Sequence, residues 1–516
     1  MRRGAGAGLA ALCLLLTGCG RGSGPATGAA RLVPAGALVY LHISTDSSRD
    51  AVASASRLAN RFPSYPRLRD AILGRLSASG GPVDVQRDVR PWLGHEAAIA
   101  LLDSGSTTAG SLVVIDVSDR KRAGAFLRRG QGGASTTYAG TTIQRLGAVS
   151  VAFVSHYLVI GQDATVRQAI DLAAGRGRSL AADPTFKAAT RGLPSGRVAD
   201  GYLTAAGVRS LLAPQGGLLG LAGTLLNHPA LTATGIALSP AGAGARLMVH
   251  ELLDPAVQRT SPQAFAPFSP SLAGAVPANA LAYLGVAGLD RALGRLLGAA
   301  GRSGAALGAI LARARGVLSP AQALSLGADL RALVGGQVAI WVTPSSPTPA
   351  LAVLAEAPDE ARTRFELAQL QAPLTRLFTV PSAGPGQAPT FDQRDLGGIE
   401  VSSLRLAPGL ELDYAIKSHQ LVIATATAPI LAALRPGPRL VGTHAYSEAL
   451  SGRPSRVTSL LFLDFSQLLA LGEQTGLSTS AAYARIRNDL QKVRAVGESS
   501  SGGVGQTTAE IFLSIP

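Results

Sequence analysis

The chain repeats itself over most of its length, and this repetition strongly constrains its fold. The segment VPAGALVYLHI, which begins at Val33, aligns with VPANALAYLGV, which begins at Val276, 243 positions later. The segment DVRPWLGHEAAIAL aligns in the same way with DLRALVGGQVAIWV. A chain of 516 residues is also too long for one compact core. The sequence therefore predicts two tandem copies of one unit, at residues 32–253 and 275–516, joined by a linker at 254–274.

Each copy has the pattern of a mixed α and β structure. Short apolar runs such as ALVYLHI and YLVIG predict strands, and stretches of Ala, Leu and Arg at helical spacing predict helices. Asp119 and Asp359 each follow an apolar run and predict helix N-terminal caps, because a carboxylate accepts the free N–H groups of a first turn. Tight turns between neighbouring strands predict antiparallel hairpins. These are AAIALLD with SLVVIDV, and one closing hairpin in each copy, in TATGIALSPAGAGARLMVHEL and VRAVGESSSGGVGQTTAEIFLSI. The predicted fold class is α+β: two homologous tandem copies, each a mainly antiparallel sheet with helices packed on one face.

The second copy contains an insertion. The spacing between equivalent positions rises from 240 at Asp119 and Asp359 to 263 at His156 and His419. The segment VPSAGPGQAPTFDQRDLGG lies in this interval and is rich in proline and glycine. It predicts an inserted surface loop.

Residues 1–18 have the pattern of a secretory signal peptide, with a positive start and a short apolar stretch. The ending Leu16-Thr17-Gly18-Cys19 resembles the lipobox of bacterial lipoproteins. In that family a diacylglycerol is attached to the cysteine sulfur, and cleavage leaves the cysteine as the first residue. The resemblance implies that Cys19 is the lipid attachment site and that the protein is extracytoplasmic, anchored by lipid to the membrane surface. Residues 19–31 are then a flexible tether. The alternative is an ordinary signal peptide with a chance cysteine.

The cysteine count excludes several kinds of site. The chain has two cysteines, of which Cys13 lies inside the removed peptide and Cys19 is consumed by the lipid. The folded body is therefore expected to have no disulfide, no thiol nucleophile and no cysteine metal ligand.

The net charge of +15 favours proximity to anionic lipid headgroups or acidic wall polymers. The arginines are scattered without interleaved aromatic residues, and the protein is expected to be exported. Nucleic acid is therefore not expected as a partner.

Two Ser-His pairs, Ser155-His156 and Ser418-His419, raise the question of a catalytic dyad. A dyad needs the imidazole within hydrogen-bond reach of the hydroxyl, whereas adjacent residues on a strand point to opposite faces. Both pairs lie between two apolar runs, where a hairpin turn places small and polar residues. The sequence predicts two turns rather than two dyads.

The segment SDRK at 118–121 formally matches the Ser-x-x-Lys motif of penicillin-recognising enzymes. The companion Lys-Thr-Gly motif is missing, because no lysine of this chain is followed by threonine. A helix N-terminus explains the segment better. The basic helix DRKRAGAFLRR that starts there is interpreted as a solvated face, with contact to anionic lipid as the alternative.

The histidines do not show the spacing of metal ligands. His95-Glu96 is not followed by the rest of an HExxH motif, and the second copy has Gly336-Gln337 at that place. No ligand spacing is found at the remaining histidines, namely His42, His228, His250 and His444. Phosphate-loop and dinucleotide-binding patterns are also missing, so the sequence predicts no catalytic, metal or cofactor site.

Three features together resemble a known bacterial family. These are the VPA-A-YL opening, the D-(V/L)-R turn that leads through a glycine into a strand, and the LVI strand. They are similar to the family catalogued as domain of unknown function 3352, and the similarity covers essentially the whole mature chain. The resemblance implies an exported, lipoprotein-like context and carries no mechanism.

The expected function is a non-enzymatic binding or scaffolding module of the cell envelope. The alternative is a carrier of a lipid or other apolar ligand, because sheets backed by apolar helices can enclose a cavity. A hydrolase whose site assembles from distant residues is the third hypothesis. The sequence does not define the oligomeric state.

Overall fold

The apolar runs of both halves form antiparallel strands. The computed structural model describes residues 24–67, 84–102, 110–129, 133–212, 229–260, 266–288, 335–346, 348–378, 390–407 and 410–516. The strands of the first half are β1 Ala37–Ser44, β2 Leu93–Leu102, β3 Gly110–Val117, β4 Ser135–Tyr138, β5 Thr141–Leu146, β6 Val149–Val154, β7 Tyr157–Gly161, β8 Ala199–Thr204, β9 Leu231–Ala241 and β10 Gly244–Leu253.

The strands of the second half follow in the same sequence. They are β11 Ala282–Ala287, β12 Gln337–Thr343, β13 Ala350–Glu356, β14 Phe391–Asp395, β15 Glu400–Ala407, β16 Leu410–Lys417, β17 Gln420–Ala424, β18 Ser459–Leu463, β19 Ala495–Gly503 and β20 Gln506–Ser514.

The two halves have the same order of strand pairing. In the first half the order across the sheet is β4-β5-β6-β7-β3-β2-β1-β8-β9-β10. In the second half it is β14-β15-β16-β17-β13-β12-β11-β18-β19-β20. Every one of these pairings is antiparallel, and the hairpins β2-β3, β9-β10 and β19-β20 are those that the sequence predicts.

The closing strands of the halves pair with each other. β10 and β20 run antiparallel from Gly244, opposite Ser514, to Leu252, opposite Gln506. Within the described residues, all twenty strands therefore belong to one antiparallel sheet, whose terminal strands are β4 and β14. This junction was not predicted, because cross-strand pairing between distant segments leaves no local sequence signal.

The helices connect the strands. They are α1 Asp50–Ala59, α2 Arg120–Arg128, α3 Asp163–Ala173, α4 Pro184–Thr190, α5 Ala205–Gly207, α6 Pro255–Thr260, α7 Glu360–Phe378, α8 Thr427–Leu434, α9 His444–Ala449, α10 Phe465–Gln474 and α11 Ala481–Leu490. Helix and antiparallel sheet together are compatible with the α+β class.

The prediction that the helices pack on one face is wrong. In the first half, α3 buries Ile170 in the same core as Val114 of β3, whereas α2 buries Ala123 in a separate core with Val117 of β3. Val114 and Val117 lie on opposite faces, because side chains alternate along a strand. The physical reason is that the strand runs are apolar at nearly every position, so both faces of the sheet need cover.

Both core regions begin earlier than the predicted boundaries. Gly28–Arg31 forms a 3₁₀ helix whose Ala29 and Ala30 are buried, so the packed body starts before residue 32. Likewise Ser271–Ala275 forms a 3₁₀ helix with Leu272 in the core of the second half, although the predicted linker extends to 274. In both cases the buried residues are small or apolar and were assigned to a linker from the glycine and proline around them.

The extra length of the second half is only partly a loop. α7 extends to Phe378, ten residues longer than α2, and Phe391–Asp395 forms the terminal strand β14. Of the predicted loop, only residues 396–398 form a bend among the described residues, and residues 379–389 lie outside them. The strand forms because its backbone pairs with β15.

Two glycines let helices approach the sheet closely, and this gives a first testable prediction. A methyl group on Gly235 of β9 would overlap the carbonyl oxygen of Ala189 in α4, and one on Gly497 of β19 would overlap that of Ala449 in α9. We expect Gly235→Ala and Gly497→Ala each to lower the free energy of unfolding by about 1–3 kcal/mol, the usual cost of overpacking.

The matched control is Gly503→Ala. Gly503 also lies in β19, but a methyl group there meets nothing within 4 Å. Guanidinium unfolding followed by circular dichroism measures all three variants. Equal stability of the Gly497→Ala and Gly503→Ala variants would show that the close approach is not energetically important.

Candidate functional site

The Ser-His pairs occupy two-residue hairpin turns, as predicted. Ser155 and His156 connect β6 to β7, and Ser418 and His419 connect β16 to β17. Three of these four residues have positive φ values: 54° at Ser155, 53° at Ser418 and 59° at His419. Positive φ is typical of tight hairpin turns. The turn interpretation is confirmed.

The SDRK segment is a helix N-terminus. The Asp119 carboxylate accepts a hydrogen bond from the backbone N–H of Arg122 at 3.0 Å and caps α2. The Asp359 carboxylate accepts a hydrogen bond from the backbone N–H of Arg362, also at 3.0 Å, and caps the start of α7. The Ser118 hydroxyl donates to the carbonyl oxygen of Leu93 at 3.1 Å. The predicted caps are confirmed in both halves.

A buried charge cluster lies inside the first half. His42 of β1 is directly opposite Asp200 of β8, and its Nδ1 lies 2.9 Å from Asp200 Oδ1. Its Nε2 lies 3.3 Å from Oε2 of Glu96, on the neighbouring strand β2. Arg197 Nε donates to the same Asp200 oxygen at 2.8 Å. His42 and Glu96 are each 2% exposed, so water does not compete for these bonds.

The cluster holds His42 in its charged form. Burial opposes protonation, but the hydrogen bond to Asp200 and the nearby charge of Glu96 outweigh it and raise the pKa of His42 to about 9. Burial would raise the pKa values of Glu96 and Asp200, but the His42 partner lowers both. At neutral pH two cations, His42 and Arg197, therefore face two carboxylates, and the cluster is internally neutral.

Glu96 also fixes the start of the packed chain. Its Oε1 accepts hydrogen bonds from the backbone N–H of Gly28 at 2.8 Å and from the Tyr157 hydroxyl at 2.7 Å. Both of its oxygens accept from the N–H of Ala29 at 3.2 Å. The carboxylate thus satisfies the free N–H groups at the beginning of the Gly28–Arg31 helix.

Gln337 performs the same capping in the second half. In the amide orientation that satisfies its neighbours, its oxygen accepts from the N–H groups of Ser271 and Leu272, both at 3.2 Å. Gln337 occupies the position that aligns with Glu96. The charge cluster itself is not repeated: Gly285 stands opposite Leu460 where His42 stands opposite Asp200.

A cleft of about 530 Å³ lies beside the cluster. Asp116 lines this cleft; its side chain is 12% exposed, and its Oδ2 accepts from the backbone N–H of His95 at 2.7 Å. The imidazoles of His95 and His156 flank this carboxylate and are 66% and 63% exposed. The lining residues are Ala26, Thr27, Gly28, Arg31, His95, Glu96, Asp116, His156, Tyr157 and Ala181.

The other histidines considered in the sequence analysis lie apart from the cluster and the cleft, or outside the described residues. His250 lies in β10 and contacts the Thr508 hydroxyl of β20 at 3.0 Å. His444 begins α9, 4.0 Å from a Glu448 oxygen. Cys19 and His228 lie outside the described residues. None of the helices in the described part of the chain is long and apolar enough to cross a membrane.

Sequence reasoning missed the cluster because its members are far apart in the chain. His42 and Asp200 are separated by 158 positions. A usable signal was present, since each charged residue interrupts an apolar strand segment, in VYLHI, HEAAIAL and VADGYL. A charge on a buried strand needs a partner, so three such interruptions in one unit predict that they meet.

Comparison with curated proteins found no match for this chain. Among solved structures, crystal forms III and I of TP0453 are similar at 16% and 14% sequence identity. The matches cover 44% and 46% of this chain and 80% and 84% of that protein, with TM-scores of 0.27 and 0.28. These scores are too low to indicate a shared fold.

The family comparison covers nearly the whole sequence. Residues 4–515 match one family model. The matched residues include both halves and the charge cluster of the first half. The chain belongs to the family described as "Protein of unknown function (DUF3352)".

Proposed function

We propose that this protein is an extracytoplasmic lipoprotein, anchored by Cys19, that acts as a non-enzymatic binding or scaffolding module of the cell envelope. One observation carries the scaffolding role: the pairing of β10 with β20 joins both halves into one sheet. Twenty strands at the usual strand spacing amount to about 90 Å of sheet, measured along the hydrogen-bonding direction. Within the described residues, such a sheet has two edge strands, β4 and β14, at which partners can dock.

The two ends of the sheet are polar and exposed. β4, at one end, has exposed residues from Ser135 to Thr137, and β14, at the other, has exposed residues from Asp392 to Asp395. Edge strands have unpaired backbone groups that can accept another strand, and polar side chains limit unspecific pairing. We infer that these edges are the places where an envelope partner docks.

We further propose that the two halves arose by tandem duplication. The support is the identical order of pairings and the equivalent capping by Glu96 and Gln337. The hairpin turns at Ser155-His156 and Ser418-His419 add to it. The charge cluster is then a feature of the first half alone.

The polar groups favour binding over catalysis. His42, Glu96 and Asp200 are buried, and together with Arg197 they neutralise one another. The described cleft is lined largely by polar and charged side chains, so it gives no support to the alternative of an apolar carrier. The Ser-His pairs lie in turns and give no support to a hydrolase.

The tether keeps the body close to the bilayer. Eight residues lie between Cys19 and Gly28, where backbone contacts with Glu96 begin. Fully extended, they span about 30 Å at most. A lipid on Cys19 therefore confines the sheet to the layer next to the membrane, which raises the effective concentration of partners held there.

One experiment tests both anchoring and docking. A photo-crosslinking amino acid is placed at exposed Thr136 in β4, in the otherwise unchanged chain and in a Cys19→Ala variant. We expect the unchanged chain in the membrane fraction, with one discrete crosslinked product, and we expect Cys19→Ala to be released with loss of that product. Cys13→Ala is the matched control, because it removes the other cysteine and leaves the lipobox intact.

The outcomes separate the two parts of the proposal. Membrane retention of the Cys19→Ala variant would contradict lipid anchoring. A crosslinker at Ile486, which is 48% exposed on α11, is the surface control for docking. Docking at the β4 edge would be refuted if Thr136 gave no product, or gave the same products as position 486.

A further inference from the structure

Helix α2 turns its basic residues away from the sheet. Ala123 is buried, and Phe126 and Leu127 pack against the core that contains Trp92. Because each residue advances an α-helix by about 100°, the opposite side of α2 is centred near Ala125, which is exposed. Within about 60° of Ala125 around the helix axis lie four exposed cations, Lys121, Arg122, Arg128 and Arg129.

Arg87 extends this basic surface from the helical turn Val85–Val89. Asp88 Oδ1 lies 3.2 Å from Arg87 Nε and 2.7 Å from Arg129 Nη1, so the two guanidinium groups share one carboxylate. Both remain largely exposed. We call Arg87 and the four cations of α2 the basic patch. Its five cations have two carboxylate partners, Asp88 and Asp119, so the patch has a net charge of +3.

The excess of positive charge is specific to the first half. Within the described residues, Lys121 and Arg128 form no ion pair, and α7 has Ala361 and Ala368 at the equivalent positions. The remaining charges on the equivalent part of α7 cancel in two ion pairs, Arg362 with Glu366 and Arg364 with Glu360. Uncompensated charge on α2 is therefore not a requirement of this place in the fold.

The basic patch lies near the start of the tether. Gly28, where the packed chain begins, lines the same cleft as Asp116, and α2 starts four residues after Asp116. Cys19 lies at most about 30 Å from Gly28. A lipid on Cys19 therefore brings the patch within reach of the membrane headgroups.

We propose that the basic patch docks on anionic lipid headgroups of the membrane that holds Cys19. Each Lys or Arg close to an anionic bilayer favours binding about fivefold. Ala125, at the centre of the patch, is too small to insert into the bilayer, so the contact is electrostatic and lies at the headgroups. This inference rests on the proposed lipid anchor, and it replaces the sequence-based interpretation of α2 as a solvated face.

Fluorescence quenching in vesicles tests the proposal. The lipidated chain carries a fluorescent amino acid at Ala125 and is reconstituted into phosphatidylcholine vesicles that contain headgroup-nitroxide lipid. We expect quenching at least about twofold stronger when about 30% of the lipid is phosphatidylglycerol. The difference should disappear in about 0.5 M salt, where the Debye length is about 4 Å. The positional control is a fluorophore at exposed Gln168 of α3, on the other face of the sheet, which should show no difference.

A double variant separates the patch from the net charge of the chain. Lys121→Gln with Arg128→Gln removes two charges without breaking an ion pair, and glutamine is a good helix former. We expect this variant to lose most of the quenching that depends on phosphatidylglycerol. Lys187→Gln with Arg191→Gln is the matched control, because both cations are exposed and α4 packs on the other face of the sheet. It should dock like the unchanged chain.

Flotation of the same vesicles separates docking from anchoring. A chain that does not float with phosphatidylcholine vesicles contradicts lipid anchoring; if it floats with the phosphatidylglycerol vesicles alone, the patch docks without an anchor. A chain that floats with both but is quenched equally in both overturns docking and leaves anchoring intact. If a soluble acidic polymer then changes the Ala125 fluorescence, the patch belongs to a wall polymer instead. Equal loss of quenching in the two double variants would also overturn the proposal, because net charge would then be the cause.

Discussion

Replacing His42 with glycine, the residue at the equivalent position of the second half, is expected to lower the free energy of unfolding by about 3–5 kcal/mol. The substitution removes the cation that Asp200 and Glu96 share and leaves two buried carboxylates with fewer partners. A buried charge that loses its partner costs far more than the ion pair contributes, because the desolvation cost stays while the attraction is lost. Guanidinium unfolding followed by circular dichroism measures the change.

The second half shows how this loss can be offset. There the equivalents of His42, Glu96 and Asp200 are Gly285, Gln337 and Leu460, none of which carries a charge. We expect the triple variant His42→Gly, Glu96→Gln, Asp200→Leu to regain at least half of the stability that His42→Gly loses. Arg197 loses its carboxylate partner in this variant but keeps its bond to the carbonyl of Pro194.

His95→Gly is the matched control for His42→Gly. It introduces the same residue one strand away, also copies the second half, and removes an imidazole that is largely exposed. Its expected cost is about 1 kcal/mol or less, the effect of glycine in a strand. If His42→Gly costs no more than His95→Gly, or if the triple variant is less stable than the single one, the cluster does not stabilise the fold as an ion network.

Local features of this fold were predictable from the sequence. The turns at Ser155-His156 and Ser418-His419 and the caps at Asp119 and Asp359 depend on a few neighbouring residues, and all are found as expected. Comparing the two halves helped to predict these features, because segments with the same local backbone have the same turns and helix caps.

The same comparison misled the interpretation of Glu96. Because the second half has Gln337 at this place, Glu96 was not predicted to belong to a metal or acid-base site, and no other role was assigned to it. The structure shows that both side chains accept backbone N–H groups of a 3₁₀ helix, a task that an amide oxygen and a carboxylate share. Only the contact with His42 requires the charge, and that contact depends on a tertiary pairing that no local pattern reports.

The junction between the halves was equally hidden. β10 and β20 were each predicted as one arm of a hairpin, and nothing in either strand specifies what lies on its other edge. His250, for which the sequence offered no role, lies at this junction beside Thr508. Which strand pairs with the free edge of β10 depends on the arrangement of all the strands, so it cannot be predicted from the sequence of one segment.

The charge cluster also predicts how stability depends on pH. The pKa of His42 is about 9 in the folded protein and about 6.5 in an unfolded chain. A group whose pKa is raised by folding stabilises the folded state fully below its unfolded pKa, and this contribution is lost as the pH rises through the folded pKa. We therefore expect the free energy of unfolding to fall by about 3 kcal/mol between pH 6.5 and pH 9.5.

Guanidinium unfolding at half-unit pH steps tests this expectation, with the triple variant as the control that lacks His42, Glu96 and Asp200. Glu251, whose pKa burial raises to about 7, acts mainly below this range of pH. It is also present in both proteins, so its effect cancels in the difference. We expect the free energy of unfolding of the unchanged chain, measured relative to that of the triple variant, to fall by about 3 kcal/mol between pH 6.5 and pH 9.5. A difference independent of pH would mean that His42 is neutral in the folded protein, and that the two carboxylates are held by Arg197 and Tyr157 instead.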